Sequence, residues 1–192
     1  MNIGVLALQG DFAEHIVMLQ RLGVDATEVR LPGHLDALDG LIIPGGESTT
    51  IGKLAVDFGL IEPLRDFSRK HAIWGTCAGA IFLSKDARRS QPLLGIMDIT
   101  VERNAFGSQV DSFEVDLDID ALSPEKQKGR PYHAVFIRAP IIESLSADAH
   151  ALSTLVDGRI VAALQGKLLA TSFHPELTDD PRFHEYFISL AK

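Results

Sequence analysis

The sequence predicts an α/β protein: a three-layer sandwich whose central sheet is mixed, mostly parallel and flanked by helices. Three observations carry this. The chain opens with an apolar run, an amphipathic stretch and a second apolar run, the pattern of a β-α-β unit with parallel strands and a right-handed crossover. Its middle runs from Ile73-Trp74 into Gly75-Thr76-Cys77-Ala78-Gly79 and a short Ala-containing apolar segment: strand, tight turn, helix. Its last third holds short β-like runs joined by Asp157-Gly158 and Gly166-Lys167, so hairpins follow the earlier alternation of strand and helix.

Taken in order, Ile3 to Leu8 is an apolar run of buried-strand type, broken by Gln9-Gly10-Asp11, where Asp11 can cap a helix. Phe12, Ile16, Leu19 and Leu22 recur at helical spacing until Gly23. Ala26 to Leu31 reads as the second strand, closed by Pro32-Gly33. Leu41-Ile42-Ile43 is the third, followed by Pro44-Gly45-Gly46-Glu47-Ser48 and a helix from near Thr49 or Thr50 with Ile51, Leu54 and Phe58 as its apolar stripe. A further helical stretch, Ile61 to Lys70, carries Pro63 in its first turn. After the Cys77 segment, Lys85 to Pro92 is polar and turn-like, an exposed connection. Ile96 to Val101, Ser112 to Leu117 and Ala134 to Ile137 are strand-like, with Ser123 to Pro131 a polar loop. Leu152 to Val156 and Ile160 to Leu164 flank Asp157-Gly158 as a hairpin with a type I′ turn, and Gly166-Lys167 turns the chain into Leu168 to Phe173. The closing helix runs from about Pro181 to Leu190, with Phe183, Phe187 and Leu190 on one face.

The 192 residues suit one domain with a sizeable core. A net charge of −8 argues against a nucleic-acid surface, which needs clustered Lys and Arg; Arg88-Arg89 reads as a solvated loop. One cysteine rules out an internal disulfide framework and fits a reducing, cytoplasmic compartment. The first residues lack the basic run of a signal peptide, and no apolar run approaches the length of a membrane span.

Three stretches can carry chemistry, and each has a plainer reading. Cys77, between two glycines at a strand-to-helix turn, is either a small buried hydrophobe or a nucleophile at a helix N-terminus, where unpaired N–H groups and the dipole favour negative charge. Gly45-Gly46 is either a simple turn or a loop that presents backbone N–H groups to an oxyanion. His174-Pro175-Glu176 is either a surface turn or a base with its orienting carboxylate, at the end of a strand where α/β sheets place their sites. The pairing assumes an extended chain, which puts His174 and Glu176 on one side. Of the other histidines, His15 and His184 fall within helices as surface or packing residues. His34, His71, His133 and His150 sit near element ends with no carboxylate at a useful offset.

In the order Pro-Gly-Gly loop, Cys elbow, His-Pro-Glu, the chain resembles the class I (triad-type) glutamine amidotransferases. Finer motifs narrow the match. Ala7-Leu8-Gln9-Gly10-Asp11, Pro44-Gly45-Gly46-Glu47-Ser48-Thr49-Thr50, Gly75-Thr76-Cys77-Ala78-Gly79, Arg103-Asn104-Ala105-Phe106-Gly107, Phe136-Ile137-Arg138-Ala139-Pro140 and Phe173-His174-Pro175-Glu176 resemble the glutaminase-subunit family of pyridoxal 5′-phosphate synthases over essentially the whole chain. Ser108 departs from that pattern, which often has a basic residue before Gln109; this touches a peripheral contact.

The resemblance implies one glutaminase domain over residues 1–192, with the flavodoxin-like fold of class I glutamine amidotransferases. It implies hydrolysis of L-glutamine to L-glutamate and ammonia, with Cys77 as nucleophile, His174 as base and Glu176 as its orienter. It implies oxyanion contacts from the Ala78 N–H and the Gly45-Gly46 loop. Glutamine contacts are implied at Gly46, Glu47, Ser48, Arg103, Ile137 and Arg138, and a role for Gln9 in sensing a docked partner. That partner is the synthase subunit, a (β/α)₈ barrel that assembles as rings and takes the ammonia through the protein, where it joins a pentose phosphate and a triose phosphate. No cofactor or metal is implied, and no Cys, His or carboxylate cluster has ligand spacing. Two other readings are the glutaminase subunit of a different amidotransferase, expected to lack Arg103-Asn104-Ala105-Phe106-Gly107, and a redox sensor, which needs no His-x-Glu.

Overall fold

The computed structural model describes residues 1–103, 112–122 and 129–192. The Asn104-Ala105-Phe106-Gly107 part of the one motif, Ser108, and most of the loop expected over Ser123 to Pro131 lie outside them. Among the described residues no helix is long and apolar enough to cross a membrane.

The opening strands β1 (Asn2–Leu6) and β2 (Asp25–Val29) pair in parallel around α1 (Phe12–Arg21), as the apolar spacing requires. β3 (Gly40–Ile43) follows, then α2 (Ser48–Asp57), α3 (Ile61–Ser68), β4 (Ala72–Thr76) and α4 (Ala78–Leu83). The chain continues with β5 (Ser84–Asp86), β6 (Met97–Glu102), β7 (Ser112–Leu117), β8 (Tyr132–Ile137), β9 (Ile141–Leu145), β10 (His150–Thr154), β11 (Ile160–Gln165) and β12 (Leu168–Thr171), and closes with α5 (Arg182–Ala191). The main sheet has the order β2-β1-β3-β4-β12-β11-β9-β6-β5, with β10 against β11. From β2 to β12 all pairs are parallel; from β12 through β11 and β9 to β6 they are antiparallel, and β5 lies parallel to β6. β7 and β8 form a separate antiparallel ribbon.

Alternation along the central strands splits the core between two layers. Leu41, Ile43 and Ile73 pack with Ile51 and Ala55 of α2 and Leu64 of α3; Ile3, Val5, Ile42 and Trp74 pack with Leu19 of α1 and Phe183 and Phe187 of α5. Burying each such Phe or Leu contributes about 2–3 kcal/mol, offset by the order imposed on the chain. The β7–β8 ribbon covers the second layer through Tyr132, Ala134 and Phe136, with the Phe136 and Phe173 rings 5.4 Å apart.

Several expectations change. β9 follows Pro140 directly and was not legible, and the connection after α4 begins with the three-residue β5. The Asp157-Gly158 turn is not type I′, which needs two positive φ angles. Only Gly158 has one (φ +86), the Gly158 N–H donates to Leu155 O at 2.9 Å, and the Leu155 N–H donates to Arg159 O at 2.9 Å. That is a three-residue loop, a type I turn with a glycine bulge. Asp11 occupies the position before α1 but makes no side-chain cap. His133 lies within β8, facing Asp116 across the ribbon at 2.8 Å and Glu114 at 3.0 Å. Hydrogen bonds to these two carboxylates raise its pKa against a smaller effect of desolvation.

Candidate active site

Parallel strands end at one edge, and four of the connections after them meet there. The Cys77 N–H extends the β4–β12 ladder by donating to Thr171 O at 2.8 Å, and the chain then reverses through φ 48, ψ −104 at Cys77. Such a conformation is strained for a residue with a side chain, and it turns the sulfur out at the head of α4. The glycines on either side make the turn feasible. A Cβ on Gly75 would lie 2.5 Å from the Gly79 carbonyl, and one on Gly79 would run into the Ile43 carbonyl. Ala80 and Ile81 are the first residues of α4 to donate to the Cys77 carbonyl, so the Ala78 N–H stands at the open end of the helix.

His174 follows β12 by three residues and is held by its own N–H, which donates to Val135 O of β8 at 2.9 Å. Its Nδ1 meets Glu176 Oε1 at 2.7 Å. The extended chain expected between them is absent: Pro175–Leu177 forms a 3₁₀ turn with Pro175 at its start, and this curl brings the carboxylate under the imidazole. Both side chains are almost wholly buried. Burial lowers the His174 pKa, but hydrogen bonds to Cys77 and Glu176 outweigh it and raise it to about 10. Burial raises the Glu176 pKa, against the opposing hydrogen bond and charge of His174.

These groups open onto a cleft of about 460 Å³. Cys77, Ala78, His174, Gln9, Gly46, Glu47, Ser48, Arg103, Ile137 and Arg138 all line it. Two expected residues do not. Glu176 lies behind His174, and Gly45 turns its carbonyl to the Asp11 N–H at 3.2 Å. That peptide is planar and trans, so the Gly46 N–H points the opposite way. Gln9 is more than a turn residue: its Oε1 accepts from the Glu47 N–H at 2.7 Å and so ties the first loop to the glycine loop.

At the rim, Glu47 caps α2, accepting from the Thr49 N–H at 3.1 Å and the Thr50 N–H at 2.7 Å. The helix therefore begins at Ser48, just before the Thr49 or Thr50 that its spacing suggested. Desolvation works against the Glu47 carboxylate, but hydrogen bonds from Thr50 and Thr49 bring its pKa down to about 2. Arg103 pairs with it, Nη1 to Oε1 at 3.1 Å. Ile137 and Arg138 end β8, where Ile137 O lies 4.0 Å from Cys77 Sγ and Arg138 adopts φ 43.

Sequence reasoning missed three residues here. Asp11 turns its carboxylate to within 3.7 Å of His174 Nδ1 instead of capping α1. Gln91, from the turn-like stretch before β6, reaches Ser48 Oγ at 3.2 Å. His15 is no surface residue; fully buried, it lies 3.3 Å from Glu176 Oε2. Its position one turn into α1, after a loop that ends at the cleft, was the available signal.

A thiol at a strand-to-helix turn, an imidazole beside it and a buried carboxylate behind form an arrangement suited to acyl transfer from an amide, on the fold of the class I glutamine amidotransferases. The chain belongs to the SNO glutamine amidotransferase family, whose model matches residues 5–192. A relative from Roseiflexus castenholzii named pyridoxal 5′-phosphate synthase subunit PdxT is 55% identical over 99% of this chain and 100% of its own length. One of the same name from Herpetosiphon aurantiacus is 57% identical over 99% of this chain and 100% of its own. A solved structure described as a glutamine amidotransferase superposes with a TM-score of 0.91 at 51% identity, covering 98% of each chain.

Proposed function

We propose that this chain is the glutaminase subunit of a pyridoxal 5′-phosphate synthase. As one domain over residues 1–192, it hydrolyses L-glutamine to L-glutamate and ammonia and hands the ammonia to a synthase subunit. The observation that carries this reading is the line from Cys77 and His174 at the cleft to Glu176 behind His174, on a chain more than half identical to proteins named as subunits of that synthase.

The sulfur of Cys77 attacks the side-chain amide carbon of glutamine. His174, whose pKa is raised by its hydrogen bonds to Cys77 and Glu176, takes the proton of the Cys77 thiol and gives it to the departing ammonia. Water then attacks the thioester with His174 as base, and glutamate leaves as the sulfur takes back its place beside the imidazole. The N–H groups of Ala78 and Gly46 receive the oxyanion, each worth roughly 3 kcal/mol. Arg103 and Glu47 stand side by side at the rim, a cation for the α-carboxylate and an anion for the α-ammonium. Ser48, Ile137 and Arg138 complete the amino-acid end of the cleft.

Gln9 is the candidate sensor of the partner. Its bond to the Glu47 N–H gives a docked synthase a direct handle on the glycine loop. The test compares kcat/KM of the isolated chain with that of the reconstituted complex, for wild type and Gln9→Ala. The expected result is strong stimulation by the synthase, reduced in Gln9→Ala. Equal activity with and without the synthase rejects the coupling, and an undiminished stimulation in Gln9→Ala rejects the role of Gln9.

A further inference from the structure

Behind the cleft lies a buried polar group that the mechanism above does not use. His15 of α1 and His184 of α5 are both fully buried in the core layer under Trp74. Nothing in apolar packing asks for two imidazoles there, since burying a polar ring is unfavourable unless its nitrogens are paired. They pair with each other, His15 Nδ1 to His184 Nε2 at 2.9 Å. The other nitrogen of His15 faces out of this layer toward the cleft, 3.3 Å from Glu176 Oε2 and 3.3 Å from Thr76 Oγ1. The outer nitrogen of His184, Nδ1, has no hydrogen-bond partner among the described residues.

That last fact decides the tautomers. An orphaned buried N–H is rarer than an under-used acceptor, so the unpartnered Nδ1 of His184 is the bare nitrogen and its proton sits on Nε2. His184 Nε2–H then donates to His15 Nδ1. This leaves the His15 proton on Nε2, aligned with Thr76 Oγ1 and with Glu176 Oε2 beside it at the same 3.3 Å. Burial favours the neutral form of both rings: it lowers His184 to about 3, and, aided by the neighbouring His184 and His174, it holds His15 well below the ordinary value.

Glu176 needs such a donor. Its side chain is entirely buried, Oε1 is taken by His174, and Oε2 accepts no well-aligned hydrogen bond among the described residues. The nitrogen against Oε2 is His15 Nε2.

We propose that His15 and His184 are positioning residues for the triad, a chain of neutral ring donors that ends on Glu176 Oε2 and holds the carboxylate charged and aimed at His174. This deepens the glutaminase reading and rests on it. A carboxylate with two oxygens and one ring partner can rotate; a second donor on the far oxygen removes that freedom and favours the charged form. Because the donors are neutral, they leave the Glu176 charge free to stabilise the imidazolium of His174.

The pH dependence of turnover reads this directly. The groups facing the Glu176–His174 pair are Cys77 at the head of α4, Asp11 before α1, His15 within α1 and Thr76 at the end of β4, with His184 of α5 behind. Removing a donor from Oε2 disfavours the carboxylate form, so the acid limb of the kcat/KM profile moves to higher pH. In the complex with the synthase subunit, His184→Phe keeps the ring but frees His15 to change tautomer. It is expected to lower kcat about ten-fold, leave KM for glutamine within about two-fold, and raise the acid limb by about half a unit to one unit. His15→Phe should do the same. His15→Gln, whose amide N–H falls near the place of Nε2, should return the acid limb toward wild type.

An acid limb unmoved in a folded His184→Phe complex overturns the proposal, because a purely structural loss would change amount and stability without moving it. A second readout needs no variant. The ring-nitrogen chemical shifts of the wild-type chain should show both His15 and His184 protonated on Nε2, and a proton on His184 Nδ1 overturns the chain of donors even if every variant fails to fold. Absence of glutamine hydrolysis by the wild-type complex would instead reject the function, with the tautomers still deciding the donor chain.

Discussion

In the half of the sheet formed by β2, β1, β3, β4 and β12 every strand runs the same way, whereas the half formed by β11, β9, β6 and β10 reverses at nearly every step. The parallel half supplies Gln9, the glycine loop, Cys77 and His174, each a few residues beyond a strand. The rest of the cleft comes from elsewhere: Arg103 after β6, Ile137 and Arg138 at the end of the separate β7–β8 ribbon. On the proposed function, the division separates bond-making from recognition. Parallel strands deliver their following loops to one edge at a spacing set by the ladder, so the candidate reacting groups are held directly by the strand ladder. An arginine at the rim needs only to reach a charged group, and a less constrained connection suffices.

The sharpest way to break this division is Cys77→Ala. It is expected to lower glutamine turnover by about 10⁴-fold or more while far-UV circular dichroism stays unchanged. Substantial activity in that variant would move the chemistry out of the parallel half altogether.

Next in size is Glu176→Gln. It keeps the shape but loses the charge that orients His174, so kcat should fall by about 10³–10⁴ with KM near wild type. If steady-state kinetics showed only a raised KM, Glu176 would belong with recognition.

Arg103→Ala tests the other side. It should raise KM for glutamine by roughly ten-fold and leave kcat within about three-fold, because a charge-assisted contact to the α-carboxylate is present in substrate and transition state alike. A fall in kcat as large as that of Glu176→Gln would erase the distinction.

The smallest effect concerns Glu47, which stands in both camps as a helix cap and a rim carboxylate. Its folded pKa, about 2, lies below the ordinary 4.5, so its contribution to stability is present above 4.5 and is lost as pH falls toward 2. Glu47→Gln should lower the thermal midpoint by about 2 °C at pH 6, given that the group is half exposed, and by progressively less as the buffer approaches pH 2. A difference that stays constant over that range would show that the charge is not what caps α2.

Legibility follows the same division. Cys77, Gly45-Gly46 and His174 could be read because each follows an apolar run that could only be a strand, and chain direction then places it. Arg103, Ile137 and Arg138 were reached by resemblance alone, since the side of an antiparallel strand that faces the cleft depends on its partners. The type I′ turn was misjudged because Asp-Gly permits either loop length; pairing of Leu155 with Arg159 selected the longer. For His15 the helical spacing left a surface and a packing role both open, and only the approach of α5 on one side and Glu176 on the other settles it as interior.

By itself, then, the sequence determined the α/β class, the parallel run of early strands and the candidates for nucleophile and base, because periodicity, glycine placement and a lone cysteine are local properties. What only the tertiary structure decided is which distant groups stand behind and around them. Glu176 meets His174 through a 3₁₀ curl, Arg103 meets Glu47 from 56 positions further along the chain, and His15 meets His184 from the opposite end of the chain. Those meetings depend on how layers pack, and packing is a property of the whole core, not of any stretch of residues.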